Sequence, residues 1–313
     1  MGCACRIVSE TRSVVITGAS RGLGLASAVR LYRQGWRVVG AMRSPDAGLE
    51  RLREATGAAV GDARLLGLRL DLADPVSAEE AARSIEAAVG APDVVVHNAG
   101  VAAAGCAEDL SAEVWTQLFA TNLFGPVALT NELLPSMRAA GRGRIVVVSS
   151  QGGARGMPGI SAYSASKGAL ERWAEALAGE IAPFGLGVSI LVAGTFETDI
   201  LTDHRADHRN YEGPYAAHYA GIDRTGDFVV RLAGSPDRFA RVLSRVLDER
   251  APFSRRGVGF DARMMLAVDR LLPDRALHHL VRLAMRLPRR NALRSTGSRR
   301  SARLAGGDSP FST

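Results

Sequence analysis

The chain has 313 residues, of which 47% are hydrophobic, and it carries a formal net charge of +7. This length and composition argue against a disordered or disulfide-stapled protein and predict one large α/β domain with a sizeable core. From Asp274 to Thr313, nine arginines stand against two aspartates, so the whole positive excess lies near the C-terminus. Because residues 1–273 are neutral overall, we expect no nucleic-acid partner.

Three cysteines, Cys3, Cys5 and Cys106, are too few for a disulfide framework and lack a second ligand pair for zinc. We therefore expect a reducing compartment and no metal site. No run approaches the roughly 18 apolar residues of a membrane-spanning helix, and no apolar run near the start resembles a secretion signal. These features predict a cytoplasmic protein, soluble or at most attached to a membrane surface.

Short, almost continuously apolar runs alternate with longer helical patterns, as expected for strands covered on both faces. The runs predict strands at residues 13–17, 37–41, 64–70, 93–97, 144–149 and 187–192. The amphipathic segments between them predict helices that include 22–34, 77–89, 113–139 and 161–182. This alternation predicts a single Rossmann-type, doubly wound parallel sheet with helices on both faces, within a domain of residues 13–273.

The first predicted strand runs directly into the glycine-rich stretch TGASRGLG. Glycines between a strand and a helix bring backbone N–H groups and the helix N-terminus close to a pyrophosphate. The stretch therefore predicts a dinucleotide site. Its expected contacts are Gly18, Ser20, Arg21, Gly22, Leu23 and Gly24.

The end of the second strand, VVGAMRSPD, indicates which dinucleotide binds. A version that binds NAD places a carboxylate there, whereas this chain has Arg43. Arg21 and Arg43 together suit a 2′-phosphate, so we predict NADP(H) in preference to NAD(H). The alternative is that both are solvated surface residues of an arginine-rich chain.

Two further strand ends carry candidate nucleotide contacts. Asp71 and Leu72 follow the third strand, and Asp71 is predicted to reach the adenine. Asn98, Ala99 and Gly100 follow the fourth strand and would form a small-residue floor beneath the nucleotide. A plain turn is the alternative for the Asn-Ala-Gly segment.

The stretch AYSASKGAL contains Lys167, the single lysine among 39 basic residues. Tyr163 lies four residues earlier, so the two side chains share one face of a predicted helix. A nearby ammonium lowers the pKa of a phenol, which can then act as acid or base at a carbonyl or alcohol oxygen. A compact amine suits this position better than a broad guanidinium that never deprotonates. A serine hydroxyl from the fifth strand end, Ser149 or Ser150, would orient the same oxygen.

Taken in order, TGASRGLG, LDL, HNAG, TNLFG, SS, YSASK and AGTFET resemble the short-chain dehydrogenase/reductase family over roughly residues 13–250. The resemblance implies hydride exchange between a nicotinamide and a carbonyl or alcohol carbon. It also implies a catalytic tetrad, with Asn122 positioning a relay water and Ser150 preferred to Ser149. The tetrad residues are Asn122, Ser150, Tyr163 and Lys167.

The resemblance further implies that Thr195 and Thr198 contact the nicotinamide. Two positions depart from the family pattern: His97 replaces a common asparagine, and Ala193 stands where a proline is usual. The departure at Ala193 puts the two threonine contacts in doubt.

The segment 199–234 is predicted to be a substrate lid, with an aromatic entrance formed by Tyr211, Tyr215, His218 and Tyr219. Beyond it, the C-terminal extension is similar to the steroid- and retinol-active branch, which implies an apolar lipid, steroid or retinoid-like substrate. The alternatives are a 3-oxoacyl ketoreductase and a non-catalytic dinucleotide sensor.

Residues 274–313 are predicted to form a basic amphipathic helix followed by a disordered tail. The helix carries an apolar stripe of Leu277, Leu280, Val281, Ala284 and Leu287. The stripe either rests on an anionic membrane or packs over the substrate pocket. A homodimer is also expected.

Overall fold

The computed structural model describes residues 11–198 and 206–293. Its strands are β1 (Ser13–Thr17), β2 (Arg37–Met42), β3 (Leu65–Arg69), β4 (Val94–His97), β5 (Gly143–Ser150), β6 (Leu186–Ala193) and β7 (Phe253–Val258). They form one parallel sheet in the order β3-β2-β1-β4-β5-β6-β7. The predicted doubly wound α/β fold is confirmed.

Helices connect the strands and cover both faces of the sheet. Those before β6 are α1 (Gly22–Arg33), α2 (Pro45–Thr56), α3 (Pro75–Val89), α4 (Ala112–Phe119), α5 (Gly125–Ala140), α6 (Gln151–Ala154) and α7 (Ser161–Ile181). Those after β6 are α8 (Ala216–Val230), α9 (Pro236–Val246), α10 (Phe260–Leu271) and α11 (Asp274–Ala284). In the described part of the chain, no helix is both long and apolar enough to cross a bilayer.

The core consists of two hydrophobic layers, one on each face of the sheet. Successive strand residues point to opposite faces, and β1 shows this alternation, since Val15 joins one layer while Val14 and Ile16 join the other. All three side chains are completely buried. This two-sided burial explains why the strand runs are continuously apolar in the sequence.

The structure differs from the predicted elements in two places between β1 and β7. The single helix predicted over 113–139 is α4, a π-helical turn at Ala120–Phe124, and then α5. Strand β7 has the sequence FSRRGV, whose paired arginines hide it from a search for apolar runs. Because β7 lies at the sheet edge, it pairs only with β6 and tolerates polar side chains.

The predicted lid contains a regular helix. Residues 199–205 lie outside the described residues, but most of the remainder forms α8. Tyr219 of α8 is completely buried, and its hydroxyl accepts a hydrogen bond from Cys106 N and donates one to Asp109. Tyr219 therefore anchors α8 to the loop after β4. The prediction that it lines an aromatic entrance is wrong, because its side chain is buried.

The C-terminal helix α11 packs on the domain. Leu277 is 1% exposed, and Thr225 of α8 donates to the Ala284 carbonyl at the end of α11. A methyl group added at Gly221 would press on the carbonyl of Arg286, so α8 and the end of α11 approach closely. The tail is predicted to be disordered beyond Arg290, and most of it, residues 294–313, lies outside the described residues.

A buried arginine fastens the edge of the sheet. Arg144 of β5 is 6% exposed and donates to Ser189 Oγ of β6 at 2.7 Å. Its other guanidinium nitrogen donates to the carbonyls of Glu249 and Ala251, just before β7. One guanidinium thus joins β5, β6 and the segment that leads into β7.

Replacing this arginine should loosen the sheet edge. We expect Arg144→Met to lower the free energy of unfolding by about 2–4 kcal/mol, because it removes one buried and two partly buried hydrogen bonds from the sheet edge. Urea unfolding measures the change. Arg142→Met is the control, since Arg142 pairs with Asp93 at an exposed position and should cost at most about 1 kcal/mol. Equal losses for both variants would contradict the fastening role.

Candidate active site

The glycine turn between β1 and α1 forms a cradle at the carboxyl edge of the sheet. Gly18 has φ +69, a conformation that favours glycine. A methyl group on Gly24 would collide with the Gly18 carbonyl, so the helix can approach the strand only with glycine there. The N-terminus of α1 has no side-chain hydrogen bond from its N-cap, Arg21, and no acidic residue in its first turn. Free N–H groups at such a helix start fit a pyrophosphate.

The predicted selector of the dinucleotide lies beside this cradle. Arg43 is exposed and directly follows β2, while Met42 is buried beneath it. Ser20 of the glycine turn packs against α2, where its Cβ lies 3.2 Å from the position a Gly48 Cβ would take. The glycine turn and the segment after Arg43 are therefore in contact, so one ligand can meet both.

Thr17 joins the ends of β1 and β4, a role that sequence reasoning missed. Its Oγ1 accepts hydrogen bonds from the backbone N–H groups of Asn98 and Ala99, at 3.1 and 3.0 Å. The Asn98 side chain in turn donates to the Thr17 carbonyl at 2.9 Å and the Gly18 carbonyl at 3.3 Å. The predicted Asn-Ala-Gly floor is thus bonded to the glycine cradle.

Asp71 and Leu72 lie just beyond the end of β3. Asp71 Oδ1 accepts from Ala73 N at 3.0 Å, and Asp71 N donates to Ser77 Oγ. Leu72 is buried and presses so closely on Gly125 that a side chain there would collide with it. The backbone at this strand end is therefore held in place beside the cradle.

Ser150 and Tyr163 are the predicted reactive pair of the site. Ser150 ends β5, Tyr163 lies in the first turn of α7, and the two side chains are close enough for Ser150 to influence the pKa of the phenol. Ser149 points elsewhere, because its hydroxyl donates to Glu171 at 2.6 Å. Ser149 is therefore engaged by Glu171, and the preference for Ser150 stays a prediction.

Burial raises the pKa of Tyr163, and the nearby Ser150 hydroxyl partly opposes this rise. The sequence led us to expect a lowered pKa caused by Lys167. That expectation is wrong for this arrangement, because removing the phenol from water outweighs the effects that favour phenolate. Tyr163 is therefore a neutral phenol that can donate a proton or hydrogen bond at neutral pH.

Lys167 is 4% exposed, and its ammonium donates to the Val148 carbonyl of β5 at 2.9 Å. Burial lowers its pKa to about 8, although Glu171 acts in the opposite direction. A methyl group at Gly100 would lie 3.2 Å from Lys167 Nζ and 3.1 Å from Asn122 Oδ1. The end of β4 therefore meets Lys167 and Asn122 at one point.

Asn122 is completely buried in the π-helical turn. Its Oδ1 accepts from Val101 N at 2.9 Å, and its Nδ2 donates to the Val101 carbonyl and to Ser166 Oγ. Both amide N–H donors are thus used by the protein. The side chain fixes the loop after β4 beside α7, and its predicted role in a water relay stays a proposal.

A buried ionic network that sequence reasoning missed extends behind Lys167. Glu171 is 1% exposed and accepts hydrogen bonds from Ser149 Oγ and from Arg255 Nε at 2.8 Å. Arg255 Nη2 also lies 2.7 Å from the Glu171 carboxylate. The spacing of four residues between Lys167 and Glu171 was the available sequence signal. This network connects the buried lysine to the edge strand β7.

His97, a departure from the family pattern, lies buried beneath the site. Its Nε2 is 2.7 Å from Thr130 Oγ1, and its ring meets Trp173 edge to face. Burial first, and the charge of Lys167 second, lower the pKa of His97 to about 3. His97 is therefore a neutral side chain at neutral pH and adds no second cation beside Lys167.

The loop after β6 carries the predicted nicotinamide contacts and is fastened by Asp261, which sequence reasoning missed. Asp261 Oδ2 accepts hydrogen bonds from Thr195 N at 2.6 Å and from Gln151 Nε2 at 2.8 Å. Its carboxylate occupies the space that a Gly194 side chain would need, so glycine is required there. Thr198 lies over the glycine turn, with its Cγ2 3.2 Å from the position of a Gly22 Cβ.

A cavity of about 580 Å³ is lined by residues 152–158, which follow Ser150 in the chain, and by Ser164, which follows Tyr163, although neither Ser150 nor Tyr163 lines it. Gly152 lines it and also donates from its backbone to Ser150 Oγ. On the opposite side the cavity is walled by α11 and the segment that follows it, through His278, Val281, Arg282 and Leu287. No three His, Cys, Asp or Glu side chains among residues 11–198 and 206–293 are grouped so that they could hold a metal ion.

Comparison with known proteins agrees with this geometry. The family profile described as short chain dehydrogenase matches residues 12–209. The chain belongs to the short-chain dehydrogenase/reductase family. It is therefore an oxidoreductase of that family, as the motifs predicted.

Two curated relatives of this dehydrogenase/reductase span most of its length. The 3-ketodihydrosphingosine reductase of Bacteroides thetaiotaomicron is 30% identical over 277 residues, which cover 88% of this chain and 98% of the relative. Retinol dehydrogenase 8 of Bos taurus is 31% identical over 284 residues, covering 85% of this chain and 88% of the relative.

Solved structures of family members share the fold. A short-chain dehydrogenase from Streptomyces avermitilis has a TM-score of 0.73 and 31% identity, covering 96% of this chain and 100% of that one. A Burkholderia phymatum member in complex with NAD (TM-score 0.71, 26% identity) covers 83% of this chain and 92% of its own. A metagenomic member in complex with NADP (TM-score 0.60, 28% identity) covers 79% and 96%. Both dinucleotides thus occur among similar structures.

Loss of the Glu171 charge should change the pH dependence of this oxidoreductase. Glu171 raises the pKa of Lys167, so Glu171→Gln should lower that pKa further and deprotonate Lys167 at a lower pH. If the ammonium form is the active one, the alkaline limb of the kcat/KM profile moves to lower pH by roughly half a unit. Glu175→Gln, at an exposed position of the same helix, should leave the limb in place.

Thermal unfolding of both variants separates this effect from a general loss of structure. An alkaline limb that stays in place in a folded Glu171→Gln protein would exclude the proposed influence on Lys167.

Proposed function

We propose that this protein is an NADP(H)-dependent oxidoreductase that interconverts a ketone and a secondary alcohol. The observation that carries the proposal is the convergence of Ser150, Tyr163 and Lys167 at the carboxyl ends of the strands, beside the glycine cradle. A non-catalytic dinucleotide sensor, the alternative from sequence, has no use for a phenol and a serine held close to a buried lysine.

Each residue has a defined task in the proposed reaction. A nicotinamide dinucleotide bound in the cradle would supply or accept the hydride. Ser150 would donate a hydrogen bond to the substrate oxygen, and Tyr163 would give that oxygen its proton in reduction and take it back in oxidation. Lys167 would hold a positive charge beneath this pair and donate to the ribose. Asn122 would fix the loop that meets Lys167. It would also position the relay water that the family resemblance implies.

The cavity supports an apolar substrate. Its lining includes Ala154, Met157, Pro158, Val281 and Leu287 next to the glycines that follow Ser150. The names of the two curated relatives, a 3-ketodihydrosphingosine reductase and a retinol dehydrogenase, point to long apolar substrates as well. We propose a lipid, steroid or retinoid-like alcohol or ketone. The C-terminal wall of the cavity makes a 3-oxoacyl ketoreductase the less favoured alternative.

The remaining features predicted from sequence stay proposals. Packing of α11 on the domain supports treating the start of the 274–313 extension as part of one body with residues 13–273. The stripe predicted as a membrane face is not free, because Leu277 is buried and Val281 lines the cavity. A cytoplasmic location and a homodimer are retained as predictions, and sedimentation velocity tests the dimer.

Removing the phenol hydroxyl tests the proposed reaction. We expect Tyr163→Phe to lower kcat for reduction of an apolar ketone by about 10²–10⁴-fold, because the proton donor is lost. Absorbance of the reduced nicotinamide measures the rate, and its fluorescence on binding measures the dinucleotide affinity. Binding should stay within a few-fold of the unchanged protein. Near-normal turnover by Tyr163→Phe would refute the assignment.

The proposed preference for NADP(H) depends on Arg43. We expect Arg43→Gln to raise the KM for NADPH by about 10–100-fold, since a charge-assisted hydrogen bond to the 2′-phosphate is lost, and to change the KM for NADH little. Arg51→Gln, at an exposed position on α2, is the control. Equal effects of Arg43→Gln on both dinucleotides would show that Arg43 does not read the phosphate.

A further inference from the structure

The outer side of α10 carries an exposed apolar stripe. Phe260 is 74% exposed, Met264 53% and Leu271 79%, and their spacing of four and seven residues places them on one helical face. The opposite side of α10 packs on the domain through the buried Ala262 and Leu266. A surface helix normally shows polar residues on its outer side, so α10 is apolar where no packing among the described residues requires it.

The next helix continues this apolar surface. Leu277 of α11 faces the domain, but Leu280 is 44% exposed and Leu283 77% exposed. Leu272, in the short link between the two helices, is 40% exposed, and α10 contacts α11. We call these exposed residues the apolar patch. Its members are Phe260, Met264, Leu271, Leu272, Leu280 and Leu283.

The charges around the apolar patch are mainly positive. Residues 260–293 contain three acidic side chains, and all three bind groups of the domain. Asp261 holds the loop after β6, while Asp269 and Asp274 both pair with Arg155. Apart from Asp274, which is exposed but paired with Arg155, the exposed charged residues on this part of the surface are arginines. They are Arg263, Arg270, Arg275, Arg286, Arg289 and Arg290.

We propose that the apolar patch and its arginines dock this protein on the surface of an anionic lipid bilayer. Apolar side chains that enter the headgroup boundary, flanked by cations that meet acidic lipids, are the pattern of an interfacial helix. A second copy is a poorer occupant, because a two-fold interface would set the same arginines against each other. The basic tail of residues 294–313 is disfavoured by the same repulsion.

Docking at this surface would serve the site without taking part in the chemistry. Helix α11 has two sides, one that carries part of the apolar patch and one that lines the cavity next to Ser150. An apolar molecule dissolved in a bilayer would therefore be one helix diameter away from the cavity. The proposal goes beyond the proposed reaction, and lipid binding can be measured without any substrate.

Vesicle co-sedimentation of the full chain tests the proposal directly. The probes are vesicles of phosphatidylcholine alone and of phosphatidylcholine with 30% phosphatidylserine. We expect binding to the anionic vesicles that is at least about tenfold tighter and that weakens as salt is added. Failure to bind anionic vesicles at low salt would overturn the proposal.

Two pairs of substitutions separate the apolar from the charged contribution. Phe260→Asp with Leu271→Asp should weaken binding by roughly a hundredfold, since two anchoring side chains are lost. Arg270→Gln with Arg275→Gln should weaken it by about thirtyfold, and only on anionic vesicles. All four positions are exposed, so folding should be unaffected, and circular dichroism checks this.

Matched controls use exposed residues far from the apolar patch. Val60→Asp with Val76→Asp makes the same chemical change at positions that are 86% and 59% exposed. Arg51→Gln with Arg245→Gln removes the same charge from α2 and α9. Neither control should change vesicle binding by more than about twofold.

Three results would overturn the proposal. Binding that survives Phe260→Asp with Leu271→Asp would assign lipid contact to another part of the chain, such as the arginine-rich tail. Equal loss in a control pair would show a non-specific charge effect. A concentration-dependent dimer that the aspartates abolish, without vesicle binding, would make a second copy the occupant. Turnover of a water-soluble ketone should stay unchanged in the patch variants, so this test does not depend on the proposed reaction.

Discussion

The buried ammonium of Lys167 is the interaction around which the site is arranged. A lysine that is 4% exposed is tolerated only if its charge is compensated, because the ammonium has left water. The compensation comes from the Val148 carbonyl and from Glu171, whose own charge is held by Ser149 and Arg255. Strands β5 and β7 and helix α7 are thus connected through one set of buried polar contacts. Any shift of α7 would break several of them together.

The position of the site follows from the direction of the strands. In a parallel sheet all carboxyl ends lie at one edge, and a crevice opens where successive strands leave toward opposite sides. Here β1 and β4 are neighbours at that crevice, and Thr17 bonds their ends together. The glycine cradle lies on one side of it and the Ser150–Tyr163 pair on the other. Residues far apart in the chain therefore meet at one point without any special local structure.

Local patterns in the sequence carried most of the fold but only part of the site. Apolar runs identified six strands, and the glycine turn marked the first crossover, because both signals depend on neighbouring residues. Strand β7 escaped because its two arginines, Arg255 and Arg256, break the apolar pattern. Asp261 and Arg255 escaped because their partners, Thr195 and Glu171, are 66 and 84 residues away. The pKa of Tyr163 was misjudged because spacing reveals a neighbouring charge but not the degree of burial.

The C-terminal helices show why an amphipathic pattern does not reveal which side is packed. The helical wheel of α11 groups Leu277 and Leu280 in one stripe, yet the first is buried and the second is 44% exposed. The apolar stripe of α11 is wider than the part of the helix that packs on the domain. Residues at the edge of the stripe, such as Leu280, therefore remain in contact with solvent. On α10, Ala262 and Leu266 pack on the core, whereas Phe260, Met264 and Leu271 lie on the outer side, where core packing cannot account for them. The exposed apolar residues of α10 therefore belong to the outer surface of the domain. The nearby carboxylates of Asp269 and Asp274 are paired with Arg155.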